Sequence, residues 1–185
     1  WTHFSCKLPE TGHYLVTPGN THFSRVTASG LLCYASDGTH VSGAGLANHD
    51  AVPIHLPVYA ARPDITCILH FHSPHATALT LLKEGRLDTL LSQSAAHFHG
   101  KTAYLDSYAI PRTNAEEGEA LAAALGDKRV LFLKNHGVLI ASDSLDDAVV
   151  SAYNLERACR LQLLAVSTGQ ALARIEESHA AQLAA

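Results

Sequence analysis

The pattern of apolar and polar positions makes the first third of the chain mostly β. Residues 2–7 and 13–17 read as short strands joined in a hairpin by Pro9-Glu10-Thr11-Gly12. Thr17-Pro18-Gly19-Asn20 enforces a loop, and Val26 to Leu31 fits one helical turn. Leu31-Leu32-Cys33-Tyr34 with the turn Ser36-Asp37-Gly38 suggests a second hairpin. From Ala51 to Ala61 the apolar spacing suits either period. The alanines and the stop at Arg62-Pro63-Asp64 favour a helix despite Pro53 and Pro57. A strand over 65–71 runs into a helix over 75–83, with Ser73 as N-cap and Pro74 at the tolerated first position.

Residues 101–106 read as a strand. Asn114-Ala115-Glu116-Glu117 has the capping-box form and opens an alanine-rich helix that ends near Gly126. Strands over 129–134 and 137–141 flank His136. Ser144 caps a long helix running to about Thr168 and stopped by Gly169. Its stripe of Leu145, Ala148, Val149, Ala152, Leu155, Cys159, Leu163 and Val166 reads as core or subunit interface. The sum is one mixed α/β domain over 1–185, with an antiparallel bias because several strands are joined by short turns.

At 185 residues and 47% hydrophobic content the chain has material for a substantial core. A net charge of −4, with scattered Lys and Arg, argues against nucleic acid as a partner. No apolar run approaches the roughly 18 residues of a membrane span, so no membrane association is expected. The four cysteines form no CxxC pair and lie in or beside apolar segments, as buried thiols of a reducing, cytoplasmic compartment would. The chain has no methionine and begins at Trp1, which suggests a fragment or a trimmed start. Thirteen histidines against thirteen Lys plus Arg raise the odds of metal chemistry.

Two of those histidines flank Phe71 at a strand end, where residues i and i+2 share a face. Asn135-His136-Gly137, between two strand-like runs, offers a third imidazole from a neighbouring strand end. Three nitrogen ligands with open positions describe a catalytic metal site, whereas a structural zinc fills all four positions with protein. The competing reading is surface or core histidines that bind nothing. His97 and His99 repeat the HxH spacing; without an evident third ligand they are expected to line a common cavity. His75 faces either the site or solvent. Lys101 and Arg112 are candidates for a substrate carboxylate, with surface solvation the favoured reading of Lys101.

The order of motifs resembles the class II aldolase/adducin family. Its carriers are Tyr59-Ala60-Ala61-Arg62-Pro63-Asp64, Leu69-His70-Phe71-His72-Ser73-Pro74-His75, Leu133-Lys134-Asn135-His136-Gly137 and Tyr153-Asn154-Leu155-Glu156. The resemblance implies a three-layer α/β/α fold around a largely antiparallel sheet and a homotetramer with sites at subunit boundaries. It also implies a helix preceding Trp1. The ligand set it implies is His70, His72 and His136 on a divalent ion, commonly zinc, with Mn2+, Co2+ or Fe2+ as alternatives. Such an ion polarises a small hydroxy-carbonyl substrate toward an enediolate or enolate. Tyr108 matches the family's proton-moving tyrosine, the competing role being a buried structural tyrosine.

The departures from the family bear on the substrate. The sugar-phosphate enzymes carry a Glu where this chain has Ala51; Asp50 or His49 is a candidate replacement, although Asp50 also suits a helix start. Their phosphate cradle is altered to Thr2-His3-Phe4-Ser5 and His49-Asp50, and a carboxylate beside a phosphate is repulsive. His3, Asn20 and His49 are the candidate substrate contacts. These changes point to an unphosphorylated acid and to a lyase acting by aldol cleavage or decarboxylation. The alternatives are a non-catalytic adducin-like interaction module, a sugar-phosphate aldolase or epimerase, and a non-haem iron oxygenase.

Overall fold

The computed structural model describes residues 2–107 and 114–185. Eight strands form one sheet: β1 (His3–Lys7), β2 (Tyr14–Val16), β3 (Leu32–Tyr34), β4 (His40–Ser42), β5 (Cys67–Phe71), β6 (Thr102–Leu105), β7 (Val130–Leu133) and β8 (Gly137–Ser142). Their order is β4-β3-β2-β1-β5-β8-β7-β6. Every adjacent pair is antiparallel except β6 with β7. That pair is joined through a helix, the connection a parallel pair requires.

The helices are α1 (Ala51–Ala61), α2 (Pro74–Leu81), α3 (Gln93–Ala96), α4 (Asn114–Leu125), α5 (Leu145–Val166) and α6 (Glu177–Ala184). Successive residues of the central strands belong to different apolar clusters, because a strand sends alternate side chains to opposite faces. Ile68, Leu131, Leu133, Leu139 and Ala141 pack with Ile54, Val58 and Tyr59 of α1 and Leu121 and Leu125 of α4. Leu69, Phe71, Val130, Phe132, Val138 and Ile140 pack with Leu79 of α2 and Leu155 and Cys159 of α5.

Helix α1 forms in spite of Pro57 because one side of it is buried, at Ala51, Ile54, His55, Val58 and Tyr59. That burial outweighs a helix-interior proline cost of about 3 kcal/mol. The RPD turn ties α1 to α4. Arg62 binds both oxygens of Asp64 at 2.8 Å and donates to the carbonyls of Gly126 and Lys128 at the end of α4. Gly118 sets the approach of the two helices, since a Cβ there would lie 2.4 Å from the Pro53 carbonyl oxygen.

Two expectations are corrected, the cap and the end of α2. Ser73 sits at the N-cap position of α2 without capping it; Glu156 of α5 does so instead, accepting from the amides of His75 and Ala76 at 3.0 Å. On α5 the stripe divides: Ala148, Leu155 and Cys159 are buried together with Ser151 and Ala158, whereas Leu145, Val149 and Val166 are exposed in the single chain. The helix after the HxH segment ends at Leu81 rather than 83. Ser144 caps α5 as expected, its hydroxyl accepting from Asp147 N at 3.2 Å. All four cysteines are free, with Cys6 and Cys67 register partners across β1 and β5.

Candidate metal centre

His70 is on β5, His72 follows that strand, and His136 lies in the three-residue turn between β7 and β8. Because β5 pairs with β8, the β7–β8 turn stands beside the end of β5. Three local features bring the rings together. Asn135 takes a left-handed conformation, φ +55°, which lets the turn close in three residues. Gly137 leaves room for His72, since a Cβ there would lie 2.6 Å from its Cδ2 and 2.7 Å from the Phe71 carbonyl oxygen. His70 is pinned by Nδ1, which donates to the Val138 carbonyl oxygen at 3.1 Å.

One ligand atom from each of the three histidines lies within 4.8 Å of the others. His70 Nε2 and His72 Nε2 are 3.0 Å apart. The bond from His70 Nδ1 to a backbone carbonyl fixes the tautomer whose Nε2 lone pair is free, the orientation metal-binding histidines commonly have. Burial holds His70 well below the usual imidazole range, His72 at about 4 and His136 below its ordinary value, with Asp50 pulling His136 back up. Neutral imidazoles are the form that binds a cation, so the donor set fits a divalent ion with open positions.

Behind the three rings lies a buried chain of polar groups between β1 and α1. His3 pairs in register with His70, and their ring centroids are 4.8 Å apart. His3 Nδ1 is 2.9 Å from His55 Nε2, and His55 Nδ1 is 2.7 Å from Ser5 Oγ. Ser5 Oγ is in turn 2.9 Å from the Tyr59 hydroxyl, which donates to the Ser5 carbonyl oxygen. All four side chains are buried. Burial lowers His55 to about 3 and, with His55 beside it, His3 to about 2. With both rings neutral the chain has two proton arrangements. Either Ser5 donates to His55 and His55 to His3, or every bond runs the other way; the second leaves His3 Nε2 unprotonated.

Of the other site candidates, Asp50 stands near enough to His136 to act on it. Asp50 stands at the N-terminus of α1 without a side-chain capping bond, and its Oδ1 is 2.9 Å from Nε2 of the exposed His49. Asn20 is exposed, with φ +55°; its loop abuts the one leading to His49, where Gly19 N donates to the Leu46 carbonyl oxygen. Ala51 is fully buried. Tyr108 and Arg112 lie outside the described residues. His75 is partly exposed and pairs with Glu156, its Nδ1 2.6 Å from Oε1.

His97 and His99 have different partners. His97 points toward Ser151 on α5, whereas His99 Nδ1 bonds Thr89 at 2.9 Å. No role was read for His55, for Ser5, Tyr59 and Glu156 beyond the motifs that contain them, or for Glu117, which burial and then Asp50 push upward. For His55 a signal was available, because it falls on the same helical side as Ala51, Ile54 and Val58.

An eight-stranded, mostly antiparallel α/β protein with three histidines converging at its central strand ends defines a class of metal-centre folds. Residues 1–163 match the family described as the class II aldolase and adducin N-terminal domain, and the chain belongs to that family. A solved aldolase II superfamily protein from Pseudomonas syringae is 35% identical, with TM-score 0.87 over 99% of this chain and 74% of that one. The L-fuculose 1-phosphate aldolase of Glaciozyma antarctica is 30% identical, with TM-score 0.88 over 100% and 71%. A Pseudomonas aeruginosa protein named provisionally as a class 2 aldolase is 33% identical across 95% of this chain and 67% of its own length. Rat alpha-adducin is 34% identical across 83% of this chain and 21% of its own. The chain thus spans about two thirds of such bacterial relatives and about a fifth of the adducin.

Proposed function

We propose that the protein is a divalent-metal-dependent carbon–carbon lyase acting on a small, unphosphorylated hydroxy-carbonyl or carboxylate compound by aldol cleavage or decarboxylation. The observation that carries this reading is the convergence of His70, His72 and His136 within 4.8 Å, with His70 Nδ1 fixed on a carbonyl. These three residues would hold the ion, zinc in the first instance. When bound, the ion supplies Lewis acidity that stabilises negative charge developing on a substrate oxygen.

The protein's own groups do the rest. Val138 aims the His70 ring, and the buried chain behind His3 keeps uncompensated charge out of the core at that side of the site. Asp50, close enough to act on His136, is the carboxylate available to hold a proton, and Tyr108 is the second proton-moving group of the proposal. Ala51 offers no acid or base, which suits a reaction whose carbanion arises by loss of CO2. His49 and Asn20, on adjoining loops, are the proposed substrate contacts. His3 is proposed to contact substrate only through its edge, because its ring is buried.

The two apolar clusters on opposite sheet faces support a three-layer α/β/α arrangement. Leu145, Val149 and Tyr153, exposed on one side of α5, support a homo-oligomer, with a tetramer as the proposed form. Among the described residues no helix is long and apolar enough to cross a membrane; the free thiols support a cytoplasmic setting. A second reading, sugar-phosphate aldolase, is favoured by the likeness to the fuculose-phosphate enzyme. The missing Glu at Ala51 weighs against it.

The test is anaerobic turnover by the metal-loaded protein of a panel of short hydroxy-keto acids and sugar phosphates, with detection of CO2 and released aldehyde. EDTA-sensitive product from an unphosphorylated acid is expected. Product formed only with O2 would indicate an oxygenase, and a protein that takes up no ion would be an adducin-like interaction module.

A further inference from the structure

Cys6 on β1 and Cys67 on β5 stand directly opposite each other in the sheet. The backbone pattern decides how close their side chains come. Thr17 N donates to the Phe4 carbonyl oxygen and Leu8 N to that of His13, whereas Lys7 N donates to that of Thr66. The even-numbered residues of β1 thus bond to β2 and the odd-numbered ones to β5, so Cys6 and Cys67 exchange no backbone hydrogen bonds. In antiparallel sheets such a pair has its Cα atoms about 4.5 Å apart, with the side chains closer than in the bonded pairs. A disulfide spans Cα separations of about 4.4–6.8 Å, so the strands need neither part nor slide to be bridged here.

The two thiols also share a face, both packing with the apolar cluster that contains Leu69, Val130 and Phe132. A hydrogen bond between them holds Cys6 below the ordinary thiol range and Cys67 above it. Cys6 is half-buried and open to a small reactant, whereas Cys67 is fully buried. A reachable, more acidic sulfur thus stands beside a shielded one, as an attacking cysteine stands beside its resolving partner. The other cysteines are placed differently. Cys33 lies opposite Leu15 with His13 beside it, and burial pushes Cys159 of α5 up to about 12.

We infer that Cys6 and Cys67 are a site of reversible oxidation, closing a disulfide between β1 and β5 when the protein meets a hydroperoxide. The Cys6 thiolate attacks one peroxide oxygen, the O–O bond breaks, and the departing hydroxide takes up the proton that Cys6 had released, leaving Cys6 as a sulfenic acid. Cys67 sulfur then attacks Cys6 sulfur, the S–O bond breaks, and hydroxide leaves with the Cys67 proton as water. Two thiols have lost two electrons and two protons, and hydrogen peroxide has become two waters. The new bond lies at the end of the β1–β5 pair away from His3 and His70, so the three-histidine centre keeps its geometry. In a reducing compartment the dithiol is the resting form and the disulfide a transient response.

The test treats the full chain with hydrogen peroxide, EDTA being in excess so that no metal ion catalyses the oxidation. The protein is then unfolded in an alkylating agent, digested, and its fragments sequenced by mass spectrometry. Two of the four thiols are expected to escape alkylation and to return with dithiothreitol, with Cys6 joined to Cys67 of the same chain. Cys6→Ala, a change at a half-buried position, is expected to fold and to slow loss of the Cys67 thiol at least tenfold. Four results would each overturn the assignment: no thiol oxidised, Cys6 carried to the sulfinic acid with Cys67 still alkylated, Cys6 joined to Cys33, Cys159 or a second chain, or Cys67 lost as fast in Cys6→Ala.

Discussion

His70 is held by Val138: the ring Nδ1 donates to the Val138 carbonyl oxygen at 3.1 Å across the β5–β8 pair. One member of the donor set is therefore aimed by a strand carbonyl, and its unprotonated ring nitrogen is the one 3.0 Å from His72.

Removing one ring should empty the centre. His70→Ala and His136→Ala are expected to fold and to lose nearly all bound divalent metal, since stable sites commonly need three or more protein ligands. Elemental analysis after dialysis checks this, and stoichiometric metal in both variants would reject the ligand set.

Gly137→Ala should disturb the centre without touching a ligand. The new Cβ meets the His72 ring and the Phe71 carbonyl at under 3 Å. A cost of about 1–3 kcal/mol in urea unfolding is expected, together with metal affinity weakened by about tenfold or more. Stability that falls while metal affinity holds would place the strain on the backbone alone.

Glu156→Ala should loosen the start of α2 just after His72. The carboxylate accepts from two amides and from His75, and a lost cap costs about 1–2 kcal/mol. Glu156→Gln keeps an acceptor oxygen and should recover part of that loss. Equal denaturation midpoints for wild type and Glu156→Ala would contradict the capping role.

The metal-free protein should lose stability on mild acidification. His3 and His55 are held at about 2 and about 3, below the ordinary value near 6.5, so the unfolded chain binds more protons than the folded one between those limits. The stabilisation is complete above pH 6.5 and is lost as pH falls toward 3. Each ring contributes up to about 1.4 kcal/mol per pH unit, so a drop of about 2 kcal/mol between pH 6 and pH 5 is expected from the pair. A flat profile of urea midpoints across that interval would mean that the rings are solvated.

The sequence carried α1 to its observed bounds and placed β5, β7 and β8, because those segments announce themselves by apolar runs bounded by Pro, Gly, Asn or Asp. It also carried the three histidines, which stand at strand ends set by those runs. Helices α3 and α6 went unread: one has four residues and the other buries only Ala180 and Ala184. The buried side of α5 was read only in part, at Ala148, Leu155 and Cys159, because Ser151 and Ala158 complete it and small residues barely register in a hydrophobic pattern. Glu156 as the cap of α2 could not be read locally, since the cap comes from another helix. The chain from Tyr59 to His3 escaped for a related reason: its members are polar, and their burial follows from the pairing of β1 with β5 beneath α1.

That pairing also sets an order of assembly. The hairpin of β7 and β8 can close early, since only a short turn separates its strands, but β5 must find both β8 and β1 from far along the chain. The three imidazoles meet only once these distant encounters have happened. Uptake of the proposed ion would therefore report the completion of the native topology, and a nascent chain released before β8 would have no site to load.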